Sequence, residues 1–255
     1  AIYFLISKHS FKINKKILKQ TFMVGCLIAI HWVAFFEAIK QSTVSIALVC
    51  LSSSTLFTAL IEPLYFKRKI KGYELFLGLL IIVGLVLIFN FEFSYLTGII
   101  LGIVAAVFSS WFTVINGVLV KETNSKTLSF YELLGALLIL SSYLIFMNLG
   151  NMEAFFIPVS DIKWLLILGI ICTTFAFIMS VEVMKKISPF TVVISINLEP
   201  IYSIIIAVLL WPESEIMSTG FYVGMAIVLS AIFLNAFFKF KADKKAKTVI
   251  GKVIE

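Results

Sequence analysis

Eight long apolar runs separated by short charged loops dominate the sequence, at 20–39, 42–66, 73–90, 96–120, 128–149, 162–184, 189–211 and 217–238. Each run has about the 18–25 residues that a helix rising 1.5 Å per residue needs to cross roughly 30 Å of hydrocarbon. Composition agrees: 61% of the 255 residues are apolar and 14% charged, against roughly 45–50% and 25% in soluble domains. The runs are apolar on nearly every side, whereas the strands of a membrane β-barrel would alternate over about ten residues. The fold class is an all-α polytopic membrane protein with eight full spans. Ahead of them, Ala1–Ile6 is an apolar stub that runs into the basic stretch Lys8–Lys19. With no initiating Met and no basic leader it does not read as a signal peptide. It reads as the inner end of a helix that starts outside the sequence, so the chain reads as a fragment.

If successive spans alternate sides, 19 of the 21 basic residues fall on one side, in the loops around Lys8–Lys19, Lys67–Lys71, Lys121–Lys126 and Lys185–Lys186 and in the tail from Lys239. The other side holds only Lys40 and Lys163, with Glu92, Glu153, Asp161, Glu213 and Glu215. By the positive-inside rule the Lys-rich loops and the C-terminus are cytoplasmic, as in a multi-pass protein of a bacterial cytoplasmic (inner) membrane. The net charge of +7 then orients the chain against anionic lipid headgroups and calls for no nucleic acid. The expected partners are a small-molecule solute and the lipid bilayer, with a homodimer left open.

The loops are too short for a soluble catalytic or nucleotide-binding domain, and no phosphate-binding or dinucleotide glycine pattern is present. Cys26, Cys50 and Cys172 lie inside runs without metal or redox spacing and read as small packing residues. Neither a cofactor nor a metal is expected. An intramembrane enzyme would need clustered catalytic groups, yet His9 and His31 are the two histidines, and no nucleophile–base spacing is evident. A receptor or scaffold stays open as the alternative to a transporter.

A shift of 146 residues sets Lys40 on Lys186, Ser42 on Ser188, Gly78 on Gly224 and Gly84 on Ser230. The two overlaid halves run through the membrane in opposite senses. Such inverted repeats are typical of secondary carriers, whose site lies near the midplane between them. The expected organisation is a first repeat at 1–90, incomplete at its start, a second at 96–240, and a basic tail at 241–255.

The stretches HWVAFFEAIKQSTVSIALVCLSSSTLFTALIEP (31–63) and MKKISPFTVVISINLEPIYSIIIAVLLWPESEI (184–216) resemble the EamA family of the drug/metabolite transporter superfamily. The resemblance extends over essentially the whole chain, and SPF…NLEP…E is its most specific part. It implies ten helices in two inverted five-helix repeats, cytoplasmic termini, and transport of metabolites such as amino acids through a central cavity. The eight runs would be the family's third to tenth helices, the first and most of the second being absent.

Ionisable groups inside such runs are costly and usually face a cavity or a partner. Glu37, Glu62, Glu132 and Glu182 lie near run ends, where an ordinary interfacial ion pair accounts for them. His31 and Glu199 lie near mid-depth and are the candidate proton-coupling groups. Pro200 removes a helix hydrogen bond beside Glu199, and an unperturbed imidazole titrates near pH 6.5. Each also reads as a hydrogen-bonded packing residue.

Ser195, Glu199 and Tyr202 share a helix face, with Asn197 on another; Ser109, Thr113 and Asn116 share a second face. Ser54 and Thr55 belong to a hydroxyl cluster at matching depth, as does Thr174. Small hydroxyl residues also serve close helix packing alone. Trp32 and Trp111 are deep enough to wall a cavity by stacking on a ring-bearing solute. Together these residues make up the candidate solute cavity.

Overall fold

A computed structural model describes residues 12–67, 69–70, 72–149, 156–196 and 199–254. Among the described residues the regular structure is entirely helical, as the apolar runs demand. The helices are α1 (Lys15–Gln41), α2 (Val44–Ser52), α3 (Ser54–Phe66), α4 (Gly72–Phe91), α5 (Leu96–Leu119) and α6 (Ser125–Met147). They continue as α7 (Val159–Ile167), a π-helical stretch (Leu168–Phe175), α8 (Ala176–Val183), α9 (Pro189–Ile196), α10 (Glu199–Leu210), the short α11 (Pro212–Glu215) and α12 (Thr219–Ile254). Lys15–Gln41, Val44–Phe66, Phe93–Leu119, Ser125–Met147 and Val159–Val183 are long and apolar enough to cross a membrane. The other three runs carry the apolar helical stretches Phe76–Phe91, Glu199–Leu210 and Thr219–Leu234 among the described residues.

The run at 42–66 divides at Ser53, whose hydroxyl bonds the carbonyl of Cys50 and whose own carbonyl accepts from Leu56 and Phe57. Serine hydroxyls compete with backbone donors for helix carbonyls, and the run Ser52–Ser53–Ser54 puts three of them at the break. A helix leaves its first four N–H groups unpaired by its own backbone, and at the start of α2 those of Val44, Ser45 and Ile46 find side-chain partners. Val44 and Ser45 donate to the two carboxylate oxygens of Glu215, both at 2.9 Å. Ile46 donates to the Thr43 hydroxyl at 3.2 Å and Ala47 to the Thr43 carbonyl at 3.1 Å. Glu92 plays a lesser version of the same part, accepting from Ser218 just before α12 at 2.9 Å.

The chain divides into two compact units, one comprising the chain to His31 and Phe112–Val192, the other Trp32–Trp111 and Val193 onward. In the second unit α2 packs on α10 and α4 on α12 around a core that includes Ile46, Val49, Ile88, Ile204, Phe221 and Val228. The α4–α12 seam closes at two glycines: a Cβ on Gly84 would lie 2.8 Å from the Gly224 carbonyl, and one on Gly224 2.7 Å from that of Gly84. Cys50 is fully buried, where a Cβ on Gly102 would meet its own at 2.7 Å, so it serves there as a small packing residue.

In the first unit α1 meets α6 just as closely. A Cβ on Gly25 would stand 2.8 Å from the carbonyl of Glu132 and 3.1 Å from the Cα of Gly135. Small residues let helices in lipid approach to van der Waals contact, where no hydrophobic drive between them exists. Asn124 caps α6, its side chain accepting from Lys126 N at 2.9 Å. The span Val159–Val183 is the barest of the long spans, with 6% of its apolar window buried. It also contains the π-helical stretch, where the Thr174 hydroxyl bonds the carbonyl of Gly169, five residues back, at 2.7 Å.

Candidate functional site

Within the first unit lie His31, Thr113, Asn116 and Thr174. His31 is buried on α1, its ring edge-on to Phe112 of α5 with centroids 5.5 Å apart. One turn beyond Phe112, Asn116 is buried beside Thr113 and donates through Nδ2 to Oε2 of Glu132 at 3.2 Å. Thr174 is exposed and bonded within its own helix; it does not join this group.

Glu132 departs from the expected interfacial ion pair. α6 begins at Ser125, so Glu132 lies two turns inside it, fully buried, with the amide of Asn116 as its hydrogen-bond partner and, among the described residues, no ion pair. A signal for this pairing is present in the sequence. The turn between α5 and α6 is short, and positions 116 and 132 are equidistant from Asn124, so a helical hairpin sets them opposite each other. The other end-of-run carboxylates divide. Glu37 and Glu182 do form interfacial ion pairs, with Lys40 at 3.6 Å and Lys185 at 2.8 Å, and Ser125 adds a short hydrogen bond to Glu182. Glu62 is buried.

Within the second unit lie Trp32, Ser54, Thr55, Ser109, Trp111, Ser195, Glu199 and Tyr202. Ser54 and Thr55 are buried at the start of α3, directly after the break at Ser53. The carbonyl of Ser54 accepts from the hydroxyl of Ser110 of α5 at 2.8 Å. Ser110, next to the expected Ser109, is thus the residue that ties α5 to this break, while Ser109 is half-buried. Trp32 is half-buried as well, and Trp111 is exposed, its Nε1 donating to the hydroxyl of Tyr65 at 3.0 Å.

Glu199 is the first described residue of α10 and is exposed. Tyr202, on the same face one turn along, is 55% exposed, and Ser195 of α9 is exposed too. Asn197 lies outside the described residues. Pro200, next in the chain, is buried. Among the described residues no group of three or more His, Cys, Asp or Glu side chains is arranged to hold a metal ion. A surface cleft lined by Val120–Asn124 and Lys185 includes none of the expected site residues.

Apolar helices of membrane-crossing length, sealed by glycines and carrying a few inward polar groups, define a multi-pass helical membrane protein. The profile of the EamA-like transporter family matches residues 1–90 and 96–238. The chain belongs to that family and is a membrane transporter of the drug/metabolite type. A solved structure described as "Crystal structure of protein" is similar to it in fold, with a TM-score of 0.59 and 17% identity over 86% of this chain and 77% of that one. No curated protein matches the chain.

Proposed function

We propose that the protein is a secondary carrier that exports small metabolites, amino acids among them, from a bacterial cytoplasm by alternating access. Family membership is the observation that carries this reading. The two inverted repeats, at 1–90 and 96–240, would rock about a cavity near the midplane, the C-terminus staying cytoplasmic. Features at corresponding positions support the repeat assignment. Under the 146-residue shift Ser53, where one helix breaks, overlies the position just before Pro200. Ser42, just ahead of the cap Thr43, overlies Ser188, whose hydroxyl accepts from Thr191 N at 3.3 Å.

In this reading Glu199 meets the solute. An exposed carboxylate on one helix face with the hydroxyls of Ser195 and Tyr202 suits the ammonium group of an amino-bearing metabolite. His31 is a proton-transfer candidate, and Trp32 and Trp111 offer apolar walls to the side chain of the solute.

Counterflow in liposomes tests this. Vesicles containing the purified protein and loaded with unlabelled amino acids should take up the labelled ones faster than protein-free vesicles, and Glu199→Gln should lose most of that uptake. No uptake by the parent protein removes amino acids as its solutes; unchanged uptake by Glu199→Gln removes Glu199 from the binding site.

A further inference from the structure

The pair Asn116–Glu132 is incomplete in a way that one proton repairs. Glu132 is 0% exposed and Asn116 1%, and a single contact joins them, Nδ2 to Oε2 at 3.2 Å. The remaining oxygens, Glu132 Oε1 and Asn116 Oδ1, are both buried without a hydrogen-bond partner, as is the hydroxyl of Ser129 one turn earlier on α6. Buried polar atoms are nearly always paired, so orphans gathered on facing residues call for a reason. Two acceptors cannot satisfy each other. With a proton on Oε1 they become donor and acceptor, and a carboxylic acid and a carboxamide close a cyclic pair of two hydrogen bonds.

The surroundings favour the neutral acid. An ionised carboxylate out of water needs a cation or several donors, and among the described residues no ion pair reaches Glu132. α5 carries no titratable residue and α9 none. On α1 the titratable groups are Cys26, His31 and Glu37, with lysines at its two ends. On α6 they are Lys126, Tyr131 and Tyr143. On α8, Glu182 is held by Ser125 and Lys185. On one side α1 lies directly against this part of α6, its Gly25 facing the main-chain carbonyl of Glu132.

We propose that Glu132 and Asn116 form a proton-binding site in the membrane interior, occupied while α1 is packed over it, and that its proton is the ion exchanged during transport. The proton comes from water to Oε1 and returns to water when the seam between α1 and α6 opens; no other bond is made or broken. The second clause rests on the carrier reading above, whereas the first stands on the geometry alone.

Infrared spectra of the full chain in lipid vesicles separate the two. At neutral pH the parent protein should show the carbonyl band of a protonated carboxylic acid, lost in Glu132→Gln and moved to higher frequency in Asn116→Ala, where the amide donor is gone. An acid band identical in the parent protein and Glu132→Gln, or no band in either, overturns the site. A band unmoved in Asn116→Ala overturns the pairing.

Uptake of a panel of labelled amino acids under an imposed pH gradient then tests exchange. The gradient should accelerate the parent protein several-fold and Glu132→Gln not at all. An equal response in both overturns the exchange role. If the parent protein moves no amino acid, the carrier reading fails for those solutes, and the infrared bands still decide the site.

Discussion

Glu215 and Glu132 are both carboxylates buried among apolar helices, at 4% and 0% exposure, and they are satisfied in opposite ways. Glu215 lies at a helix start, where free N–H groups and the positive end of the helix dipole already favour negative charge, and each of its oxygens takes one backbone donor. Glu132 lies in the middle of a helix whose donors are all spent on their own carbonyls, so it has only the amide of Asn116. The same side chain is a finished structural part in one position and an unfinished one in the other. What decides between them is whether the surrounding backbone has hydrogen bonds left to give.

The comparison breaks most visibly at Glu215. Glu215→Ala strands two donors at the start of α2, each worth about 1–3 kcal/mol when buried unpaired, so the loss should total about 2–6 kcal/mol. Thermal unfolding in detergent reads it as a large fall in midpoint or loss of folded protein; a midpoint near that of the parent chain would show the cap to be dispensable.

The opposite pattern is expected at Glu132. Removing Asn116 alone (Asn116→Leu) should cost about 1–3 kcal/mol by stranding the acid. The double variant Asn116→Leu with Glu132→Leu should recover most of that, since replacing both partners with apolar groups is often neutral or better. A double-mutant cycle measures the coupling, and additive losses would mean the two side chains do not depend on each other.

The smallest effect belongs to a carboxylate in reach of water. Lys185→Ala removes the ion pair with Glu182, whose two side chains are 36% and 46% exposed, and should shift stability by no more than about 0.5 kcal/mol. A larger shift in the unfolding midpoint would show that Ser125 and Lys185 hold Glu182 as one unit.

The difference between these carboxylates also explains what the sequence discloses. The apolar runs announce their helices because hydrocarbon admits little else, and the runs at 96–120 and 128–149 fall within three residues of α5 and α6. Local caps such as Thr43 and Asn124 follow from residue type and position. The bond from Glu215 to Val44 crosses 171 positions, and no local pattern announces it. Depth along a run separates His31 and Glu199 from the end-of-run acids, but depth measures distance to water and not cover by other helices. So Glu199, placed at mid-run, is exposed, and Glu132, placed near an end, is fully enclosed.

α12 carries one further consequence. Its 36 residues make a rod about 54 Å long, while the hydrocarbon is about 30 Å thick. Roughly 24 Å of helix must therefore leave the oily layer, standing in water or lying along the surface. Positions 241 and 252 are about 17 Å apart on that axis, twice the roughly 8 Å over which salt screens a charge. If the rod stands upright, only its base shares the potential of the headgroups and its tip is electrically independent of the membrane. Ionic strength would then act on the two ends of one helix separately.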